Sequence, residues 1–230
     1  MRSGAGTLIA ATATVLVVGG SLGCSSPADL DREQIADATV RVRAEGCGPR
    51  TELGVGTAVD DGLVITAAHV VAGSSVIDLV DGSGTTARAA VVLFDPELDV
   101  AALRASVAPD NAVALRERRA EVGDRGLVAL PADDGSIELL EVDVVQRVTI
   151  RTTDIYREAD VERPGLRIAV AAEPGDSGAM LQLSGGGAGI VWSRSLTTPD
   201  QAWTVDLPPE LLDRSTRRTL TEPVDTGPCP

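Results

Sequence analysis

The stretch Glu173-Pro174-Gly175-Asp176-Ser177-Gly178-Ala179 decides how this chain is read. A serine between glycines is common and alone establishes little. This one is answered by Thr66-Ala67-Ala68-His69, which holds the only histidine of the 230 residues. Asp99 stands between them, in Asp95-Pro96-Glu97-Leu98-Asp99-Val100-Ala101. A serine hydroxyl is a weak nucleophile at neutral pH. It needs an imidazole to take its proton, and the imidazole needs a carboxylate to hold its tautomer and stabilise the imidazolium. The chain supplies these groups in the order His, Asp, Ser.

That order is the one of the chymotrypsin fold, and the segments around it carry a resemblance. Gly54 to Gly73, with Thr66-Ala67-Ala68-His69 inside it, resembles the histidine segment of trypsin-like serine proteases, closest to their bacterial HtrA/DegP-like branch. Asp95 to Leu103 is similar to that family's aspartate strand and Pro174 to Gly178 to its nucleophile loop. The resemblance runs over roughly residues 38 to 206. It departs from the branch at Asp176, where Asn is usual, and at Gly178-Ala179, where Gly-Gly is usual. The sequence also offers no room for the PDZ domain that the branch carries.

The resemblance implies an all-β fold of two antiparallel six-stranded β-barrels of chymotrypsin type, with the active site between them and a short C-terminal helix. The pattern of short strands and turns agrees. Val40-Arg41-Val42-Arg43 alternates like a half-exposed strand. Gly54 to Val59 and Leu63 to Thr66 read as a hairpin turned at Asp60-Asp61-Gly62. Val76 to Val80, Ala87 to Phe94 and Val100 to Leu103 follow, then a linker over Ser106 to Arg119. Gly126 to Leu130, Leu139 to Thr152, Leu166 to Ala172, Met180 to Leu183, Gly189 to Trp192 and Ala202 to Val205 complete the second set. The expected divisions are a signal over 1–23, a tether over 24–37 and a protease-like domain over 38–220. The barrels fall at about 38–105 and 120–206, a helix at about 208–220 and a tail at 221–230.

The resemblance implies roles residue by residue. His69 is the general base, Asp99 its orienting carboxylate and Ser177 the nucleophile. Asp95 precedes Pro96 and reads as a turn cap. The glycines around Ser177 permit a tight turn in which the N–H groups of Gly175 and Ser177 form an oxyanion hole. Ala171 marks the base of the substrate pocket, and Ile190, Val191 and Trp192 one wall. With no carboxylate there, a small or medium apolar P1 residue is expected rather than Arg or Lys. Asp176 would need a partner if buried, since an unpaired internal charge is costly, and an arginine is the expected one.

Composition narrows the partners. The net charge is −14 and all twenty basic residues are arginine. Nucleic acid and anionic membrane surfaces, which demand a basic footprint, are excluded as electrostatic partners. Aromatic residues make up 2%, so the core must be aliphatic. One histidine and scattered cysteines make no zinc set, and no cofactor is expected.

Met1 to Gly23 reads as an export signal with an apolar stretch over Leu8 to Val18. Ser21-Leu22-Gly23-Cys24 resembles a bacterial lipobox, with Ser21 where an aliphatic residue is usual, and it implies lipidation of Cys24. Ordinary cleavage or an uncleaved anchor are the other readings. With Cys24 so used, Cys47 and Cys229 can pair in an oxidising compartment or remain free thiols. The expectation is an exported, membrane-anchored lipoprotein that acts as a serine endopeptidase on protein or peptide substrates. The alternative is a catalytically silent relative that binds rather than cleaves.

Overall fold

The strands follow from alternation in a chain whose apolar residues are nearly all small and aliphatic. The computed structural model describes residues 27–49, 51–59, 62–106, 111–132, 134 and 136–230. The signal, Cys24 and the Asp60-Asp61 part of the first hairpin turn lie outside the described residues.

The first barrel comprises β1 (Thr39–Glu45), β2 (Glu52–Val59), β3 (Leu63–Thr66), β4 (Val76–Val80), β5 (Thr86–Asp95) and β6 (Val100–Ala105). Its strand order is β1-β2-β3-β6-β5-β4, closed by pairing of β1 with β4. Thr57 sits opposite Ile65, and Ile65 opposite Ala102. Val40, Val42 and Ala44 of β1 turn inward while Arg43 and Glu45 face solvent. The second barrel comprises β7 (Arg125–Pro131), β8 (Ile137–Thr153), β9 (Asp160–Ala169), β10 (Met180–Leu183), β11 (Gly186–Arg194) and β12 (Ala202–Val205). It repeats the topology as β7-β8-β9-β12-β11-β10 and closes through β7 and β10.

Strand β9 begins earlier than the apolar pattern suggests. Pro164, a residue usually confined to edges or bulges, sits inside it opposite Thr149. Polar residues from Asp160 onward pair with β8, so the two strands form one long hairpin. The segment between the barrels is also less loose than its composition suggests. Val113 bridges Val59 and Leu115 bridges Gly187, so the connection is stitched to both barrels. Arg116 and Asp124 are buried there as an ion pair at 3.1 Å.

Ahead of the first barrel, α1 (Arg32–Asp37) is capped by Asp31, whose side chain accepts from the Gln34 N–H, and it buries Ile35. The expected C-terminal helix is two short ones, α3 (Pro209–Leu212) and α4 (Arg214–Thr219). The break falls at Asp213, whose carboxylate accepts from the Ser215 and Thr216 N–H groups and so starts a new helix. The Thr216 and then the Ser215 hydroxyl, which also donate to this carboxylate, do most to lower its pKa to about 2, with the backbone N–H groups adding to them.

One buried cluster fills the first barrel and reaches into the second through Leu127, Met180, Ile190 and Val205. The barrels therefore share a core face. A disulfide joins Cys47 to Cys229 and returns the C-terminal tail to the first barrel. The tail is fixed further by Val224 N–H to Val91 O and Gly73 N–H to Thr226 O, at 2.9 and 3.2 Å. Among the described residues no helix is long and apolar enough to cross a membrane.

Candidate active site

His69 sits on α2 (Ala68–Val71), directly after β3. Ala67, Ala68, Val70 and Val71 are all buried, which leaves the histidine as the side chain of this turn that faces outward. Asp99 precedes β6 and is 2% exposed, with a φ of 63°. Its Oδ1 accepts the His69 backbone N–H at 2.8 Å. Its Oδ2 lies 2.8 Å from His69 Nδ1 and also accepts the Trp192 indole N–H at 2.8 Å. Burial pushes the Asp99 carboxyl upward, but the His69 bonds and charge, aided by Arg163, outweigh it and hold the group below the usual carboxylate range. An ionised carboxylate can only accept, so Nδ1 carries the proton and Nε2 presents its lone pair. Asp95 caps its own turn, accepting from Glu97 and Leu98 N–H at 3.0 and 2.8 Å.

The Ser177 loop is held by backbone contact with both barrels. Val55 N–H donates to Ser177 O at 2.8 Å, and Gly178 N–H donates to Val191 O at 2.8 Å. Gly178 adopts a φ of +93°, and a Cβ there would lie 2.2 Å from Val55 O and 2.9 Å from Ala67 N. Only glycine allows this approach, which lays the serine loop against the backbone that leads into His69. Gly175, at φ +108°, likewise occupies a region closed to most residues. Among the described residues, neither the Gly175 nor the Ser177 N–H donates to a protein group, and the Ser177 hydroxyl makes no hydrogen bond.

Asp176 is not paired with an arginine, contrary to the expectation from its charge. Among the described residues its carboxylate accepts instead from the Glu173 N–H at 2.7 Å, within its own turn. Burial, together with the Glu173 charge, outweighs that bond and raises the Asp176 carboxyl above its ordinary value. Arg194 lies 3.8 Å from Glu173 rather than against Asp176.

The expected pocket residues disperse. Ala171 is exposed, while Ile190 and Val191 are buried in the two cores. What Val191 offers the serine loop is its backbone. Trp192 is half-buried and turned toward Asp99. A cavity of about 240 Å³ opens beside the histidine, lined by His69, Asp99, Thr152, Thr153, Asp154, Ile155, Arg157, Arg163, Trp192 and Ser193. Arg163, which nothing in the sequence singles out, is buried there at 1% exposure.

Comparisons with known proteins agree with this fold. The family model of the trypsin-like peptidase domain matches residues 54–186. Serine protease Rv3671c of Mycobacterium tuberculosis is 26% identical over 193 residues, covering 82% of this chain and 48% of that protein. The chain thus spans about half the length of the curated relatives it matches. The crystal structure of Rv3671c protease in its active form superposes with a TM-score of 0.76 at 24% identity, over 97% of this chain and 99% of that one. The inactive form gives 0.65 at 25% identity, over 76% and 85%. The HtrA-type protease AlgW with tripeptide gives 0.62 at 20% identity, over 76% and 57%.

Proposed function

We propose, from the premise that this chain belongs to the trypsin-like peptidase domain family, that it is a serine endopeptidase acting through Ser177, His69 and Asp99. The observation that carries the proposal is the buried Asp99 carboxylate on His69 Nδ1, which presents Nε2 as a base. In the reaction, Ser177 Oγ bonds to the scissile carbonyl carbon as its proton passes to His69 Nε2. The carbonyl oxygen, now negative, is met by the N–H groups of Gly175 and Ser177, which the fold leaves unspent. The imidazolium returns the proton to the leaving amine as the C–N bond breaks. Water, deprotonated by the same imidazole, then cleaves the acyl-enzyme.

The substrates are exported or envelope proteins, cleaved after small or medium apolar residues. A lipid on Cys24 anchors the chain on the extracytoplasmic side. The Cys47–Cys229 disulfide supports this placement, since such bonds persist in oxidising compartments. Metabolic labelling with a palmitate analogue, lost in Cys24→Ala, tests the anchor. A second reading, a silent binding protein, is favoured by the Ser177 hydroxyl making no bond to His69 among the described residues.

Fluorophosphonate labelling of the folded protein decides between them. Labelling is expected in the wild type and absent in Ser177→Ala and His69→Ala. Asp99→Asn, which turns the histidine to the wrong tautomer, is expected to slow labelling about 10⁴-fold, as in other triads. A folded wild type that never labels sinks the protease reading.

A further inference from the structure

We infer that Arg163 and Trp192, both carried by the second barrel, are positioning residues for Asp99 in the first. The guanidinium clamps the loop that bears the carboxylate, and the indole N–H fixes one carboxylate oxygen. The inference rests on the triad reading above and deepens it.

Asp99 has a backbone that needs holding. A φ of 63° in a residue other than glycine is strained and persists only where the surroundings impose it. Inside the loop, Asp95 caps the N–H groups of Glu97 and Leu98, and Pro96 O accepts the Ile155 N–H at 3.2 Å, which leaves the Glu97 carbonyl to be met from outside. Arg163 reaches it from β9. Its Nε donates to Glu97 O at 2.6 Å, and its Nη2 donates to Thr153 O at 3.2 Å and Pro96 O at 3.5 Å. One side chain thus ties the Asp99 loop to the β8–β9 hairpin.

The same guanidinium lies over the Trp192 ring, 4.9 Å from its centroid. The Trp192 N–H points at Asp99 Oδ2. A cation over the indole face holds the ring in the orientation that aims its N–H at the carboxylate. With His69 N–H on Oδ1, both oxygens of Asp99 are then fixed, and the plane of the carboxylate toward His69 Nδ1 is set. Among the described residues Arg163 forms no ion pair, so carbonyl dipoles and the ring face are what meet its charge directly. Burial draws its pKa down, while the more distant charges of Asp99, Asp95 and Asp154 oppose that. A buried cation so placed is a poor stabiliser and a good geometric device. Lysine cannot replace the fork, since it lacks the planar set of donors that spans several carbonyls.

The test uses a readout that a merely structural residue would leave alone. His69 is the sole histidine, so its imidazole gives one set of NMR signals, including the far-downfield Nδ1 proton shared with Asp99. Trp192→Phe, Arg163→Met and Arg163→Lys are compared with the wild type in three ways. These are fluorophosphonate labelling rate, that proton signal, and thermal melting. We expect labelling to slow about 10–100-fold in each variant, well short of the roughly 10⁴-fold loss of a wrong tautomer. The Nδ1 proton signal should move or broaden in the variants and remain in Ser177→Ala. Wild-type labelling and signal in Trp192→Phe or Arg163→Met would overturn the inference. So would a rate loss that follows melting temperature with the proton signal unmoved. Full recovery in Arg163→Lys would overturn the fork. A wild type that fails to label would defeat the protease reading alone, because the proton signal still reports whether these residues set Asp99.

Discussion

The two barrels share one topology but hold their parts of the site by different means. In the first, β2, β3 and β6 are buried along most of their length, and α2 and the start of β6 are fixed by that packing. His69 and Asp99 sit where rigid strands end. In the second, the 17-residue β8 and its partner β9 are largely half-exposed, and Ser177 lies in a loop seated partly on β11 and partly on β2 of the first barrel. The first barrel positions by core packing. The second positions by reaching across with Arg163, Trp192 and the glycine-built serine turn. A site made this way depends on the contact between barrels as much as on either barrel.

The sharpest way to break that arrangement is Gly178→Val. The new side chain would drive into Val55 O and the Ala67 backbone from a φ that valine avoids. Labelling should vanish, and stability should fall by about 4 kcal/mol or more, read by urea unfolding. Wild-type labelling would mean the serine loop has another seat. Next comes the Cys47–Cys229 bond, which closes a loop of 182 residues and holds the tail against both barrels. The Tyr156 hydroxyl, at the β8–β9 tip, donates to Thr226 O at 2.6 Å. Cys47→Ser with Cys229→Ser should cost about 5 kcal/mol in the chain-entropy account, with Tm falling about 2–4 °C per kcal/mol. A loss near zero would show that the tail's hydrogen bonds alone suffice.

A paired truncation tests the packing contrast itself. Leu103 of β6 is 0% exposed, and Leu140 of β8 is half-buried. Leu103→Ala should cost about 3 kcal/mol and Leu140→Ala about 1, since the cavity penalty needs a site that cannot collapse or fill with water. Equal losses in denaturant unfolding would remove the distinction between these two strands.

The same contrast governs what the sequence discloses. The first barrel's share of the site is local. Thr66-Ala67-Ala68-His69 and the apolar run after Asp99 show on inspection, because short strands end where the functional residues begin. The serine turn shows as well, through glycines that only a tight turn demands. What stays hidden depends on distant partners. Arg163 acts on the carbonyls of Pro96, Glu97 and Thr153, and a backbone carbonyl leaves no mark on residue identity. Trp192 reads as a pocket wall, and strand position does not disclose that its N–H reaches Asp99. The extension of β9 through Pro164 is hidden by a residue that ordinarily argues against a strand. Asp176 misleads in the opposite direction. Its charge suggests a remote arginine, while a backbone N–H of its own turn answers it.

Asp176 therefore supplies the finest probe of how the serine turn is built. The carboxylate has one backbone donor, is half-buried, and faces the Glu173 charge. Burial first, then Glu173, raises its pKa above the ordinary value. An acid whose folded pKa exceeds its unfolded one binds its proton more readily when folded. Stability at this site thus rises as pH falls through the folded value, and the ionised form is a burden throughout the range above it. Asp176→Asn keeps an oxygen for the Glu173 N–H and removes the charge. The variant should melt slightly higher at pH 7, by about 2 °C or less. The gain should shrink as pH is lowered and the wild-type carboxyl takes up its proton. Melting curves of the two proteins across that range read this directly. A variant that melts lower at neutral pH would mean that the charge is stabilised in place.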